Sequence, residues 1–200
     1  MTHEIILGSC SPRRREILGY FSLPFRQLHP SFDEESVPFR GDPVAYVNEI
    51  ARGKALALAK DYPQEIILTA DTTVYANGRV YAKPANLKEA HGMLRELSGQ
   101  AHSVFTGVCI HTPKQEFLEA EETRVIFNNL TETEIVAYAS AIQPLDKAGG
   151  YAIQENGGLI VKRIEGCYYN VMGLPLQTVR RGLLNVGIDL WAYLKSGSPV

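Results

Sequence analysis

The sequence lacks the features that would place it in several broad classes. It has three cysteines, Cys10, Cys109 and Cys167, an odd number, widely spaced and without a CxxC pair. That argues against a disulfide scaffold or a zinc site and suits a reducing compartment. No apolar run approaches the ~20 residues of a membrane span, and the N-terminus has neither the basic nor the apolar region of a signal peptide. The expectation is a cytoplasmic protein with no membrane partner. An excess of one charge is missing too: 20 Lys and Arg stand against 22 Asp and Glu, a net charge of −2. No global basic field attracts nucleic acid, so no such partner is expected and any anion site must be local. The GxxxxGKS phosphate loop, the GxGxxG fingerprint, the GxSxG elbow and the HExxH helix are all absent. Repeats, low-complexity segments and long linkers are absent as well. Residues 1–200 therefore read as one domain, with a frayed, disordered tail over 195–200.

What is present begins with Gly8-Ser9-Cys10-Ser11-Pro12-Arg13-Arg14-Arg15, after the apolar Ile5, Ile6 and Leu7. The pattern predicts strand, tight turn and helix, with Ser11 as N-cap and Pro12 at the first helical position. Three arginines then occupy a helix first turn, where cations are disfavoured by roughly 0.3–1 kcal/mol each. A bound anion would reverse that sign, since backbone N–H groups, the hydroxyls of Ser9 and Ser11, and guanidinium forks would all face it. Taken alone, such a run is more often a solvated basic turn.

Further along, strand and helix alternate. Phe25 to Leu28 reads as a short strand, and Pro30 to Asp42 as a loop holding Asp33, Glu34 and Glu35. Asp42 and Pro43 open a helix to about Lys60 whose apolar stripe includes Lys54, a lysine that either snorkels to the rim or reaches a counter-ion in a cleft. The run Glu65 to Thr73 predicts a strand buried on both faces, with Asp71 just past its end, either a site residue or an Asx turn. Asn77-Gly78 predicts a hairpin that returns Lys83 toward Asp71. A helix opening at Asn86 and Glu89, two antiparallel strands over Ser103 to His111 and Phe117 to Asn129, and a helix from Glu132 to Ala141 follow. Thr131 with Glu134 reads as a capping box, which makes the Asn129-Leu130-Thr131 sequon incidental. The glycine-rich stretch Asp146 to Gln154 precedes a predicted strand over Leu159 to Ile164. A last helix begins near Gly173 to Pro175, packs Leu176, Val179, Leu183 and Leu184, and ends at Gly187. Cations mixed with carboxylates near element ends suggest a metal-assisted phosphoryl site rather than a passive anion receptor.

The segments GSCSPRRREIL, FDEES, LTADTTV, AKP, LSGQAHSVFTGV, DKAGGYAIQ and EGCYYNVMGLP, in this order, resemble the Maf family of nucleoside triphosphate pyrophosphatases. The DKAGGYAIQ form resembles the subgroup acting on dTTP and UTP. Two departures are Gly8 where Ala is usual and Ala82 where Gly is usual. The resemblance implies a mixed α/β fold, an elongated central sheet flanked by helices with a cleft between two lobes, often as a homodimer. It implies hydrolysis between the α and β phosphates of a nucleoside triphosphate with a divalent cation, Mg²⁺ or Mn²⁺. Carried over residue by residue, Asp71 matches the family's proton acceptor, and Arg13, Thr72 and Gln154 match positions linked to substrate choice. Ser9, Glu34, Lys54 and Lys83 match its other polar cleft residues. On charge, Ser9, Ser11, Arg13, Arg14, Lys54 and Lys83 are expected to hold phosphates, and Glu34 and Asp71 a metal. A second class stays open: a regulatory protein of septum formation that senses nucleotides without turnover.

Overall fold

The protein is described by a computed structural model covering residues 4–154 and 156–195. Its first strand, β1 (Ile5–Gly8), is buried at every position because parallel neighbours flank it, β2 (Phe25–Leu28) on one side and β3 (Ile66–Ala76) on the other. Between β1 and β2 lies α1 (Pro12–Leu18), capped by Ser11 with Pro12 at its start. The helix α2 (Pro43–Ala59) starts at Asp42, whose carboxylate accepts from the amides of Val44 and Ala45. After β3 the chain turns at Asn77-Gly78, both with positive φ, into β4 (Arg79–Tyr81). Then come α3 (Leu87–Leu97), the long antiparallel pair β5 (Ala101–His111) and β6 (Glu116–Phe127), and α4 (Glu132–Ala141). The chain closes with α5 (Gly157–Ile160), β7 (Val161–Glu165), α6 (Tyr168–Met172) and α7 (Leu176–Asn185).

The seven strands form one mixed sheet in the order β2-β1-β3-β5-β6-β7, with β4 beside β3. Strand β3 organises it. On one edge β5 pairs with it continuously from Ile67 to Tyr75. On the other edge β1 pairs only with Ile66 to Thr69, and β4 only with Val74 to Ala76. Residues 70–73 are thus left open on that edge. Apolar clusters form around each half of the strand. Around the first half, Leu7, Ile17, Leu68, Val108 and Leu183 pack on one face, and Ile6, Ala51, Leu58 and Ile67 pack under α2 on the other. Around the second half, Val74, Leu94, Val104, Phe127 and Tyr138 pack with α3 and α4. The expected elongated sheet with two lobes is what forms.

Two glycines admit close approaches. A Cβ on Gly107 would lie 2.6 Å from the Val47 backbone, so α2 rests directly on β5. A Cβ on Gly53 would lie 2.3 Å from the Phe32 ring, which packs the loop before α2 onto that helix. Gly8 is crowded as well: a Cβ there would meet Leu58 Cδ1 at 2.5 Å and Thr69 Cγ2 at 2.7 Å. Ala82 is free of the strain a left-handed backbone would impose, since Asn77 is the one described non-glycine residue with positive φ.

Several expectations are corrected. Asp71 lies inside β3, not past its end, because β5 continues to pair with the strand after β1 has stopped. The predicted strand over Leu159 to Ile164 begins as a helical turn, α5, and β7 runs from Val161 to Glu165. Leu184 is exposed rather than packed. The tail expectation falls on residues 196–200, outside the described residues, while Lys195 donates from Nζ to the Gly19 carbonyl. The Thr131 and Glu134 capping box forms as expected.

Candidate functional site

The open edge of β3 is the floor of a cleft of about 710 Å³. It is walled by the β1–α1 turn, the 30–35 loop, α2, the Ala82-Lys83 segment, residues 146–154 and the end of α6. All the residues singled out in the sequence line it: Ser9, Ser11, Arg13, Arg14, Glu34, Lys54, Asp71, Thr72, Lys83 and Gln154. Side chains alternate across a strand, so Asp71 and Thr72 leave β3 on opposite faces and the cleft wraps the strand edge between them.

On the Asp71 side, Lys54 rises from the buried stripe of α2. Its ammonium donates to Asp71 Oδ1 at 2.7 Å and lies 2.9 Å from Glu34 Oε1. The lysine side chain is only 6% exposed, so this is a counter-ion contact and not a snorkel. Glu34 is presented by a single 3₁₀ turn, Glu34–Ser36, capped by Asp33. Burial pushes its carboxyl up, but Lys54, by charge and hydrogen bond, together with Lys83 and Arg14, holds it below the usual carboxylate range. Tyr46, one wall of the cleft, has its phenol pushed up by burial and by the negative charges of Asp71 and Glu34.

On the Thr72 side, Arg14 is buried and fully spread. Nε donates to the Gly173 carbonyl at 2.7 Å, Nη1 to Ser9 Oγ at 3.2 Å and Nη2 to Thr72 Oγ1 at 3.0 Å. Desolvation lowers its pKa, opposed by the charges of Asp71 and Glu34. Thr72 Oγ1 lies 2.9 Å from Thr106 Oγ1, which bonds the Asn170 carbonyl at 3.1 Å. Asn170 is fully buried and donates from Nδ2 to Val104 O and Thr123 Oγ1, so it pins α6 across the sheet. At the rim, Arg13 Nη1 is 3.6 Å from Asp146, which also meets Lys147. Cys10 and His29 pair at 2.9 Å at the mouth.

Sequence reasoning passed over Tyr46, Thr106 and Asn170. Tyr46 was signalled by its spacing, since residues 46, 50 and 54 lie four apart on one face of α2. Thr106 carried no local signal, because only the β3–β5 register sets it opposite Thr72.

Among the described residues no group of three or more His, Cys, Asp or Glu is arranged to hold a metal ion. Two carboxylates do converge, Asp71 and Glu34, and the Lys54 ammonium contacts one oxygen of each, Oδ1 and Oε1, which leaves the second oxygen of each carboxylate without that contact. Such a donor set fits a divalent cation that completes its shell with ligand oxygens, as Mg²⁺ does with one or two carboxylates and substrate phosphates. Five cationic side chains (Arg13, Arg14, Lys54, Lys83, Lys147) face five acidic ones (Asp33, Glu34, Glu35, Asp71, Asp146) in the cleft lining.

Fold and site together define a mixed α/β protein built around an internally charge-balanced polar cleft on a split sheet edge. More particularly, the chain belongs to the family described as Maf-like protein, whose model matches residues 4–186. A relative from Chlamydia felis, named dTTP/UTP pyrophosphatase, is 50% identical over 195 residues, 97% of this chain and 100% of its own. Another of that name, from Clostridium perfringens, is 40% identical over 190 residues, 94% of this chain and 99% of its own. Among solved structures, the Staphylococcus aureus Ham1 protein aligns with a TM-score of 0.46 at 12% identity, over 63% of this chain and 72% of its own.

Proposed function

We propose that the chain is a nucleoside triphosphate pyrophosphatase that hydrolyses dTTP and UTP to the nucleoside monophosphate and pyrophosphate. The observation that carries this reading is the Glu34–Lys54–Asp71 triad, two carboxylates held on one buried ammonium at the floor of a nucleotide-sized cleft. The names of the relatives that span nearly the whole chain supply the substrate class.

In this reading Asp71 orients the attacking water and accepts its proton. Lys54 holds one oxygen of that carboxylate, Oδ1, which leaves the other for the water. The water oxygen bonds to the α phosphorus, the bond to the bridging oxygen breaks, and pyrophosphate leaves with the electron pair. Arg13 and Lys83 neutralise the departing charge. Thr72 and Gln154 read the base. A triphosphate brings about four negative charges, which a cleft with equal numbers of acids and bases does not balance alone. Glu34 and Asp71 would hold a divalent cation with the substrate phosphates, and that cation would supply the missing neutralisation at the phosphate oxygens.

The chain acts as a single domain, and its unpaired cysteines suit the cytoplasm. No described helix is long and apolar enough to cross a membrane. Homodimerisation belongs to the same reading, and sedimentation velocity checks it. The deciding experiment is a nucleotide panel with Mg²⁺ or Mn²⁺ that measures pyrophosphate and orthophosphate separately. Pyrophosphate release from dTTP and UTP is expected. Orthophosphate as the first product, or binding without any product, would overturn the reading.

A further inference from the structure

The hydroxyls of Thr72 and Ser9 face one cleft, yet their hydrogen bonds fix them in opposite polarity. Thr72 contacts Thr106 at 2.9 Å, and Thr106 contacts the Asn170 carbonyl at 3.1 Å. Two hydroxyl protons must serve these two contacts, and the carbonyl has none to give. The proton of Thr106 therefore goes to Asn170 O, and that of Thr72 to Thr106. The reverse order would press two bare acceptors together in a buried site. One lone pair of Thr72 already accepts from Arg14 Nη2 at 3.0 Å. What Thr72 offers the cleft is a single lone pair and no proton. Ser9 is the converse. Its two lone pairs accept from the Ser11 amide at 3.1 Å and from Arg14 Nη1 at 3.2 Å, so what it offers is its O–H.

An acceptor-only oxygen repels phosphate oxygens, which are acceptors as well, so it faces a part of the ligand that carries a donor. We propose that Arg14 and Thr106 are positioning residues that set hydroxyl polarity. They make Ser9 a donor to a phosphate oxygen and Thr72 an acceptor for the ring N3–H of a pyrimidine-2,4-dione. This rests on the pyrophosphatase reading above and deepens it by naming the discriminating atom. Uracil and thymine carry a proton at N3, whereas cytosine presents a lone pair there and meets the lone pair of Thr72. Rejection of cytosine nucleotides is built in by Thr106, which fixes the Thr72 proton from the neighbouring strand without itself touching the base.

The test compares kcat/KM for UTP and CTP, read as pyrophosphate release, in the intact protein and in variants. Thr106→Val removes the acceptor of the Thr72 proton and frees that proton to turn into the cleft. Asn170 O stays paired with the Gly173 amide at 2.9 Å, so no carbonyl is stranded. The UTP/CTP ratio is expected to fall about tenfold, mainly through a gain with CTP, because the lone-pair clash at cytosine N3 is exchanged for a hydrogen bond. Thr106→Ser keeps the proton chain and should keep the wild-type ratio. Thr72→Val should also lower the ratio, but chiefly by a loss with UTP, since the acceptor for N3–H is gone and no donor for cytosine replaces it, and this arm stands even if Thr106→Val does not fold. A structural role alone would depress both nucleotides together. An unchanged ratio in Thr106→Val or in Thr72→Val, with pyrophosphate still released from UTP, overturns this inference and leaves the pyrophosphatase reading intact. No pyrophosphate from any nucleotide in the wild type overturns both.

Discussion

Lys54 is the side chain on which the site's charge turns, because two carboxylates from different segments meet on it. Replacing it with methionine would leave Asp71, which is almost fully buried, without its cation. Stability is expected to fall by about 3 kcal/mol in urea unfolding, and turnover by at least about a hundredfold. Asp71→Asn should keep nucleotide binding and lose turnover on the same scale, which binding titration beside a kinetic assay checks. Glu34 differs, since its side chain is 45% exposed and water screens its pairing. Glu34→Gln should scarcely move the melting temperature but raise the divalent metal concentration for half-maximal rate about tenfold. With its folded pKa depressed by Lys54, any stability Glu34 adds is present above the ordinary carboxylate range and is lost as pH falls through the lowered value.

At the scale of elements, the site depends on how α2 lies on the sheet. Gly107 lets the Val47 backbone come within contact, and Lys54 and Tyr46 ride on that helix. Gly107→Ala meets backbone that cannot rotate away, so α2 must lift. A loss of about 1–3 kcal/mol is expected, with a fall in turnover larger than unfolding at the assay temperature explains. Parallel urea and rate measurements separate the two. The elements themselves were largely legible where signals are local. Asp42-Pro43, Asn77-Gly78 and the Thr131 and Glu134 box each act within four residues, and each forms as read. Asp71 was read at a strand end because the apolar run stops at Leu68. Pairing with β5 carries the strand on through polar residues, and no local pattern reports that partner. Thr106 escaped notice for the same reason. Arg14 was legible as a cation but not as a buried fork, since its acceptor Gly173 is 159 residues away.

For the molecule as a whole, acid sensitivity has an identifiable source. His102 is buried beside Tyr151, its Nδ1 has no partner, and burial lowers its pKa to about 4. The unfolded chain keeps the ordinary value of about 6.5, so below that pH it binds a proton that the folded protein refuses. The His102 contribution therefore lowers stability as pH drops from about 6.5 and levels off near 4, with a loss of about 2 kcal/mol between neutrality and pH 5. Urea unfolding across that range checks it, and His102→Gln should flatten the slope. By contrast, burial pushes the Cys109 thiol up to about 12, so alkylation at pH 8 should spare it and label the exposed Cys10 first.

The split edge of β3 also fixes one dimension of the opening. Both halves of the molecule grip one unbroken strand, and the distance from Thr69, where β1 lets go, to Val74, where β4 takes hold, is counted out in peptide units. Five steps at ~3.4 Å make a ruler of ~17 Å that no hinge can stretch without breaking the β3–β5 register. Ligands that lie along this edge are gauged against a length the backbone has already set.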